Sequence, residues 1–84
     1  MPKKVVIYTT LFCPFCIRAR QLLKRKKIKF TELRVNDNKL RSEMERRSGR
    51  TSVPQIFIGE QHIGGSDELA HINSTGELDK IMQD

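Results

Sequence analysis

Cys13 and Cys16, three residues apart in Cys13-Pro14-Phe15-Cys16, are the two cysteines of an 84-residue chain. They stand between an apolar run, Val5-Val6-Ile7-Tyr8, and a stretch with helical spacing, a placement that points to dithiol redox chemistry. A helix start presents unpaired N–H groups and the positive end of the peptide dipoles, so a sulfur there is pushed toward thiolate, the form that attacks disulfides. Cys13, at the exposed helix start, is therefore the candidate nucleophile, a buried inert thiol being the alternative. Cys16, one turn later and pointing inward, can both pack in the core and resolve a mixed disulfide. Pro14 in the first turn forfeits no hydrogen bond, because that N–H is unpaired in any helix.

The elements that must hold this pair follow from periodicity. Val5 to Tyr8 is a continuous apolar run, expected as a strand buried on both faces. From Cys13 to about Lys26, Cys16, Ala19, Leu22 and Leu23 share one helical face while Arg18, Gln21, Lys24 and Arg25 lie outside it. Ile28 to Val35 alternates around Phe30 and Leu33, giving a second strand reached through a helix and so parallel to the first. Asn36-Asp37-Asn38 caps a charged helix reaching about Ser48, which Gly49 stops in a left-handed conformation. Gln55 to Ile58 and Gln61 to Ile63 form a hairpin across Gly59-Glu60, broken by Gly64-Gly65. Ser66 is the expected N-cap of a short helix, with Asp67 and Glu68 in its first turn and Leu69, Ala70 and Ile72 on its buried side. Ser74 with Glu77 reads as a capping box for a last helix through Leu78, Ile81 and Met82. The order is β-α-β-α-β-β-α-α, an α/β class with a four-stranded mixed sheet flanked by helices. Residues 1–84 read as one unit, without repeats or linkers.

Composition bounds the function. With 37% apolar and 31% charged residues and no apolar run long enough to span a bilayer, the chain is that of a soluble protein. Met1 to Tyr8 has no signal-peptide pattern, so a cytoplasmic location is expected. There, a cysteine pair is more plausibly catalytic or metal-binding than a structural staple. The net charge of +6 belongs mostly to solvated helix faces and can also steer anionic partners. No aromatic residue is interleaved with the basic ones as a base-stacking platform requires, which argues against nucleic acid. His62 and His71 lie on different elements, and with two cysteines they do not make the usual zinc spacing, so no metal is expected.

Three motifs taken together, Cys13-Pro14-Phe15-Cys16, Thr51-Ser52-Val53-Pro54 and Gly64-Gly65-Ser66-Asp67, resemble glutaredoxin, closest to the short bacterial dithiol members, over essentially the whole chain. The resemblance implies a thioredoxin fold and glutathione as co-substrate. It implies contacts to glutathione from Phe15, Ser52, Val53, Pro54, Gln55, Gly65, Ser66 and Asp67. In that reading the Val53-Pro54 bond is cis, so the Val53 backbone pairs with the substrate like an added strand. The N–H groups of Ser66 and Asp67 hold the γ-glutamyl carboxylate, and the Asp67 side chain holds its ammonium. On sequence alone the plain reading of Pro54 as a strand start prevails, and Gly64-Gly65 could be nothing more than a turn and Asp67 an ordinary helix-dipole residue.

The chain departs from the family pattern at three positions. Phe15 replaces the usual Tyr, Ser66 a frequent Cys, and Thr10 the usual Lys that binds the glycine carboxylate. Among Arg46, Arg47, Arg50 and Gln55 as substitutes for that Lys, Gln55 is the first choice. The implied partners are glutathionylated or disulfide-bearing proteins and, indirectly, glutathione reductase and NADPH, acting on a monomer with no nucleic acid and no membrane. A thioredoxin-like donor reduced by a flavoprotein, and an iron–sulfur carrier, are the alternatives; the cluster-binding relatives generally have Gly or Ser in place of Pro14.

Overall fold

A computed structural model describes residues 3–83. Its elements are β1 (Val5–Thr9), α1 (Pro14–Arg25), β2 (Thr31–Arg34), α2 (Asn38–Ser48), β3 (Gln55–Ile58), β4 (Gln61–Gly64), α3 (Ser66–Thr75) and α4 (Glu77–Gln83). The strands lie in the order β2-β1-β3-β4. β1 runs parallel to β2 and antiparallel to β3, and β4 closes the hairpin with β3. This is the mixed sheet expected from the element order.

Alternation along the two central strands divides the apolar residues between the two sheet faces. Val5 and Ile7 of β1 and Ile56 and Ile58 of β3 pack with Ala19 and Leu23 of α1, Leu69 of α3 and Leu78 of α4. Tyr8 and Phe57 face the other way, onto Met44 of α2 and Val35. Three helices therefore cover one face and a single, highly charged helix covers the other. Arg47 of α2 adds to the thin apolar contact, placing its guanidinium 4.3 Å from the Phe57 ring centre and donating to the Tyr8 hydroxyl at 2.7 Å.

The helix ends explain both agreements and corrections. Asp37 caps α2, its Oδ1 accepting the Leu40 N–H at 2.8 Å, and Gly49 ends the helix with φ 71°. β2 begins at Thr31 rather than at Ile28. The Ile28 N–H is bonded to Leu23 O in the turn that leaves α1, and Lys27 takes φ 58°, so the chain is extended for pairing only from Thr31 onward. Gly64 belongs to β4 instead of breaking it. Ser66 is the first residue of α3, and Gly65 is the N-cap. A glycine has no side chain to cap with, and the Glu68 carboxylate supplies half of a capping box by accepting the Gly65 N–H. Ser74 is likewise not a cap: α3 continues to Thr75 and is ended by Gly76 at φ 85°. The Ser74 hydroxyl donates to His71 O, and Thr75 Oγ1 accepts the Glu77 N–H at 3.3 Å, one residue later than the sequence pattern places the cap.

Candidate dithiol site

β1 delivers the chain to the sheet edge at Thr9, and residues 10–13 turn it into α1. Cys13 is the N-cap of α1, in extended conformation, and its sulfur accepts the Cys16 N–H at 3.2 Å. A sulfur in that position satisfies one of the orphan donors of the first turn, and it does so best as a thiolate. As a thiol, Cys13 donates to the Val53 carbonyl, with Sγ 3.8 Å from the oxygen. The expectation of an exposed Cys13 needs correcting: the residue is only 8% accessible. Neighbouring Phe12 and Phe15 take the solvent exposure, and the loop before Pro54 covers the other side through its contact with the sulfur.

Cys16 has no accessible surface and lies on the apolar face of α1. Its thiol is pushed up to about 12, first by burial and then by its hydrogen bond with Cys13 and by the Cys13 charge; a backbone contact at Thr10 and the cation of Arg20 pull the other way. Cys16 therefore keeps its proton in the resting pair.

Phe15, Ser52, Val53, Pro54, Gln55, Gly65, Ser66 and Asp67 line a single cleft of about 220 Å³, together with Arg50 and Glu68. The tertiary fold thus brings three sequence-distant motifs to one wall-to-wall site. The Val53-Pro54 peptide bond is cis. The helical bonding of α3 starts with the Leu69 N–H on Gly65 O at 3.0 Å, which leaves the N–H groups of Ser66 and Asp67 at the open helix end beside the cleft. A Cβ on Gly65 would lie 3.4 Å from Pro54 O, so glycine lets the two walls approach this closely with no side chain between them.

Gln55 does not fit the role expected of it. Its residue is wholly buried, Nε2 donates to Ser52 O at 3.0 Å and is 3.3 Å from Ser52 Oγ, and Oε1 is 2.7 Å from His62 Nε2. Because Ser52 O can only accept, the amide must turn its NH₂ there, and His62 must then carry its hydrogen on Nε2. The side chain is thus spent on bracing the loop and cannot reach out to a ligand carboxylate. Of the arginines considered, Arg47 is pinned across the sheet and Arg46 lies outside the cleft. Arg50 lines it, half-exposed and 3.4 Å from Glu68.

Two further participants were not apparent in the sequence. Glu68 holds both the Gly65 N–H and Arg50, and these contacts, the backbone one foremost, draw its carboxyl below the usual range. Its signal is the three-residue offset from Gly65, legible only once Gly65 rather than Ser66 is taken as the cap. His62, tilted against Phe57 with ring centres 4.9 Å apart, buttresses Gln55. Burial and the nearby Arg50 lower its pKa, against an opposing pull from Glu68. A larger cavity of about 500 Å³ lies between Lys3, Lys4, Val5 and the Lys27–Thr31 segment, and neither thiol nor any of the three motifs lines it. Chemistry rather than size therefore marks the smaller cleft as the site.

A sheet of this strand order, with a Cys-x-x-Cys pair at the start of its first helix and a cis-proline loop against the first sulfur, defines the thioredoxin-fold thiol–disulfide oxidoreductases. The glutaredoxin family model matches residues 5–63. A glutaredoxin of Pseudomonas aeruginosa is 51% identical over 79 residues, covering 93% of this chain and 94% of that protein. Glutaredoxin 3 of Escherichia coli K12 is 50% identical over 80 residues, covering 94% and 96%. The solution structure of glutaredoxin from Brucella melitensis superposes with a TM-score of 0.86 at 45% identity, over 96% of this chain and 89% of that one. The chain belongs to the glutaredoxin family.

Proposed function

We propose that this protein reduces protein–glutathione mixed disulfides and protein disulfides at the expense of glutathione, with Cys13 as nucleophile and Cys16 as resolving thiol. The observation that carries the reading is the Cys13 sulfur held against Val53, one wall of the cleft whose other wall is the α3 N-terminus.

The Cys13 thiolate attacks the glutathione sulfur of a mixed disulfide. The S–S bond breaks, the protein leaves as a thiolate and takes up a proton, and Cys13 carries the glutathione. A second glutathione thiolate attacks that sulfur, forming glutathione disulfide and returning Cys13 as a thiolate. With a protein disulfide, Cys13 attacks one substrate sulfur, the substrate S–S bond breaks, and the other sulfur leaves as a thiolate that takes up a proton. Once Cys13 is bonded its negative charge is gone, and with it one of the causes that hold the Cys16 proton. Cys16 then loses that proton, attacks Cys13 Sγ and expels the second substrate thiolate. Two glutathiones reduce the resulting Cys13–Cys16 disulfide.

Each wall of the cleft suits one part of glutathione. The Ser66 and Asp67 N–H groups meet the γ-glutamyl carboxylate with the favourable end of the helix dipole, and the Asp67 carboxylate meets its ammonium. The Val53 backbone pairs with the cysteinyl residue, Ser52 and Pro54 shape the turn that presents it, and Phe15 forms an aromatic wall. Arg50 replaces the missing lysine at Thr10 as the cation for the glycine carboxylate, and Gln55 acts as a positioning residue behind Ser52. In this reading residues 1–84 work as one unit and as a single chain. A dithiol turned over by glutathione, and through it by glutathione reductase and NADPH, suits the reducing cytosol. Among the described residues no helix is long and apolar enough to cross a membrane.

The test is reduction of a glutathionylated peptide with glutathione, glutathione reductase and NADPH, run beside an assay in which thioredoxin reductase replaces the glutathione system. Turnover in the first assay alone is expected. Turnover only with thioredoxin reductase would overturn the proposal and leave Asp67 as a helix-capping residue.

A further inference from the structure

Among the described residues, the large hydrophobic side chains left exposed are Leu11 (57%), Phe12 (92%), Phe15 (49%) and Ile17 (43%), all within a short stretch that brackets Cys13. A cluster of this kind on an otherwise charged surface marks an interaction site. Its position narrows the partner. Phe12 directly precedes the recessed Cys13, and Ile17 follows it by one helical turn, its N–H on Cys13 O at 3.1 Å. These side chains therefore flank the sulfur along the chain on both sides. Leu11 and Phe12 do not line the cleft that suits glutathione, so their contacts fall to the other half of the mixed disulfide, the part that leaves. On the α1 side the rim is basic: the Arg18 guanidinium sits 5.6 Å from the Phe15 ring centre, and the chain carries a net charge of +6.

We infer that Leu11 and Phe12 are specificity-determining residues that dock polypeptide substrates whose modified cysteine is flanked by apolar side chains, with acidic residues further out. The inference rests on the exchange reaction proposed above and names the substrate class that the reaction favours. A second copy of this chain is a less fitting occupant, because docking two such faces would bring two basic rims together and close both Cys13 sulfurs off from substrate.

The test compares kcat/KM on three substrates: a glutathionylated peptide with Leu and Phe beside its cysteine and Glu beyond them, a matched peptide with Gly and Ser in those places, and the small cysteine–glutathione disulfide. Hydrophobic contact through one or two partly covered side chains predicts about a tenfold preference of the unaltered protein for the apolar peptide, and about a tenfold loss of it in Phe12→Ser with Leu11→Thr. Turnover of the small disulfide by the variant should stay within about twofold, since uniform loss is not expected from a contact made by the leaving half alone. The unfolding midpoint should not move, because both side chains are already largely in water. Equal kcat/KM for the two peptides, or an equal loss on the small disulfide, overturns the inference. So does sedimentation that reveals a dimer which the variant dissociates. Absence of glutathione-dependent turnover on all three substrates would instead overturn the function on which the inference rests.

Discussion

Gln55→Leu isolates the brace behind the cis-proline loop. The side chain is wholly buried, and the substitution nearly preserves volume while removing the bonds to Ser52 O, Ser52 Oγ and His62 Nε2. At about 1 kcal/mol net for each hydrogen bond the gross loss is roughly 3 kcal/mol. Ser52 is exposed and His62 half-buried, so water can partly replace the lost partners, and the leucine gains some transfer energy; about 2 kcal/mol remains. For a domain of this size that corresponds to a fall in Tm of roughly 8–16 °C. Urea unfolding should show the loss as a lower midpoint at unchanged m, since the surface exposed on unfolding is the same. The functional consequence separates positioning from reactivity. With Ser52 released, the Val53 backbone is no longer held against Cys13, and kcat/KM on a glutathionylated peptide should fall by about tenfold or more. The rate at which iodoacetamide alkylates Cys13 should not fall, because the Cys16 N–H contact to its sulfur belongs to α1 and loosening Val53 only uncovers the sulfur. Gln55→Glu keeps the shape but offers Ser52 O no donor, and its carboxylate beside His62 should raise the lowered imidazole pKa, a shift NMR titration reads directly. A stability change under about 0.5 kcal/mol, or alkylation that slows in step with exchange, would refute the assignment of Gln55 as a brace.

Cys13→Ser should abolish reduction of both glutathionylated and disulfide-bonded substrates, whereas Cys16→Ser should retain the first and lose the second; equal loss in both variants on a glutathionylated peptide would contradict the division of roles. Acid should destabilise the fold in two stages readable by urea titration across pH. The His62 pKa is lowered by burial, so the unfolded chain takes up its proton first and stability declines as pH falls below about 6.5. The Glu32 carboxyl is held low by Thr9, Arg20 and Arg34 against the opposing effect of burial, and that of Glu68 chiefly by the Gly65 N–H. Both contribute stability above about 4.3 that is lost as pH falls through their depressed values, a stage that should shrink in Glu32→Gln. Stability that rises on acidification would contradict both signs. In Gly64→Ala the new Cβ would meet Glu68 Oε1 at 2.6 Å on a backbone with φ 121°. Strain of this kind costs about 1–3 kcal/mol, so a lower unfolding midpoint is expected together with weaker glutathione binding by calorimetry as Glu68 is displaced from Gly65.

Much of this architecture was legible along the chain because its signals are local. The period-2 and period-3.6 patterns placed all eight elements, and Asp37 and Gly49 marked the ends of α2 because caps depend on the few residues around them. The errors cluster where two local rules compete. Ser66 and Ser74 are good N-caps by type, yet Gly65, beside the first, and Gly76, two residues after the second, set the backbone there, and each helix boundary moved by a residue or more. Ile28 and Phe30 alternate as a strand would, but no partner strand reaches them, and the turn after Lys27 takes their backbone instead.

The site divides along the same line. The sequence by itself placed the cysteine pair: two cysteines three apart at a helix start put one sulfur at the helix end and the other on the inward face, because helix geometry and end charge depend on nothing distant. It also marked, through motifs shared with the family, the segments that line the cleft. Only the tertiary structure decided which side chains face the cleft. Gln55 and Arg50 are both near Pro54 in sequence and both can bind a carboxylate. Strand alternation and the His62 contact from the neighbouring strand turned Gln55 inward, while Arg50, on the loop after α2, was left free to turn toward Glu68. Burial of Cys13 against Val53 is likewise a product of packing between segments forty residues apart, which no local spacing encodes.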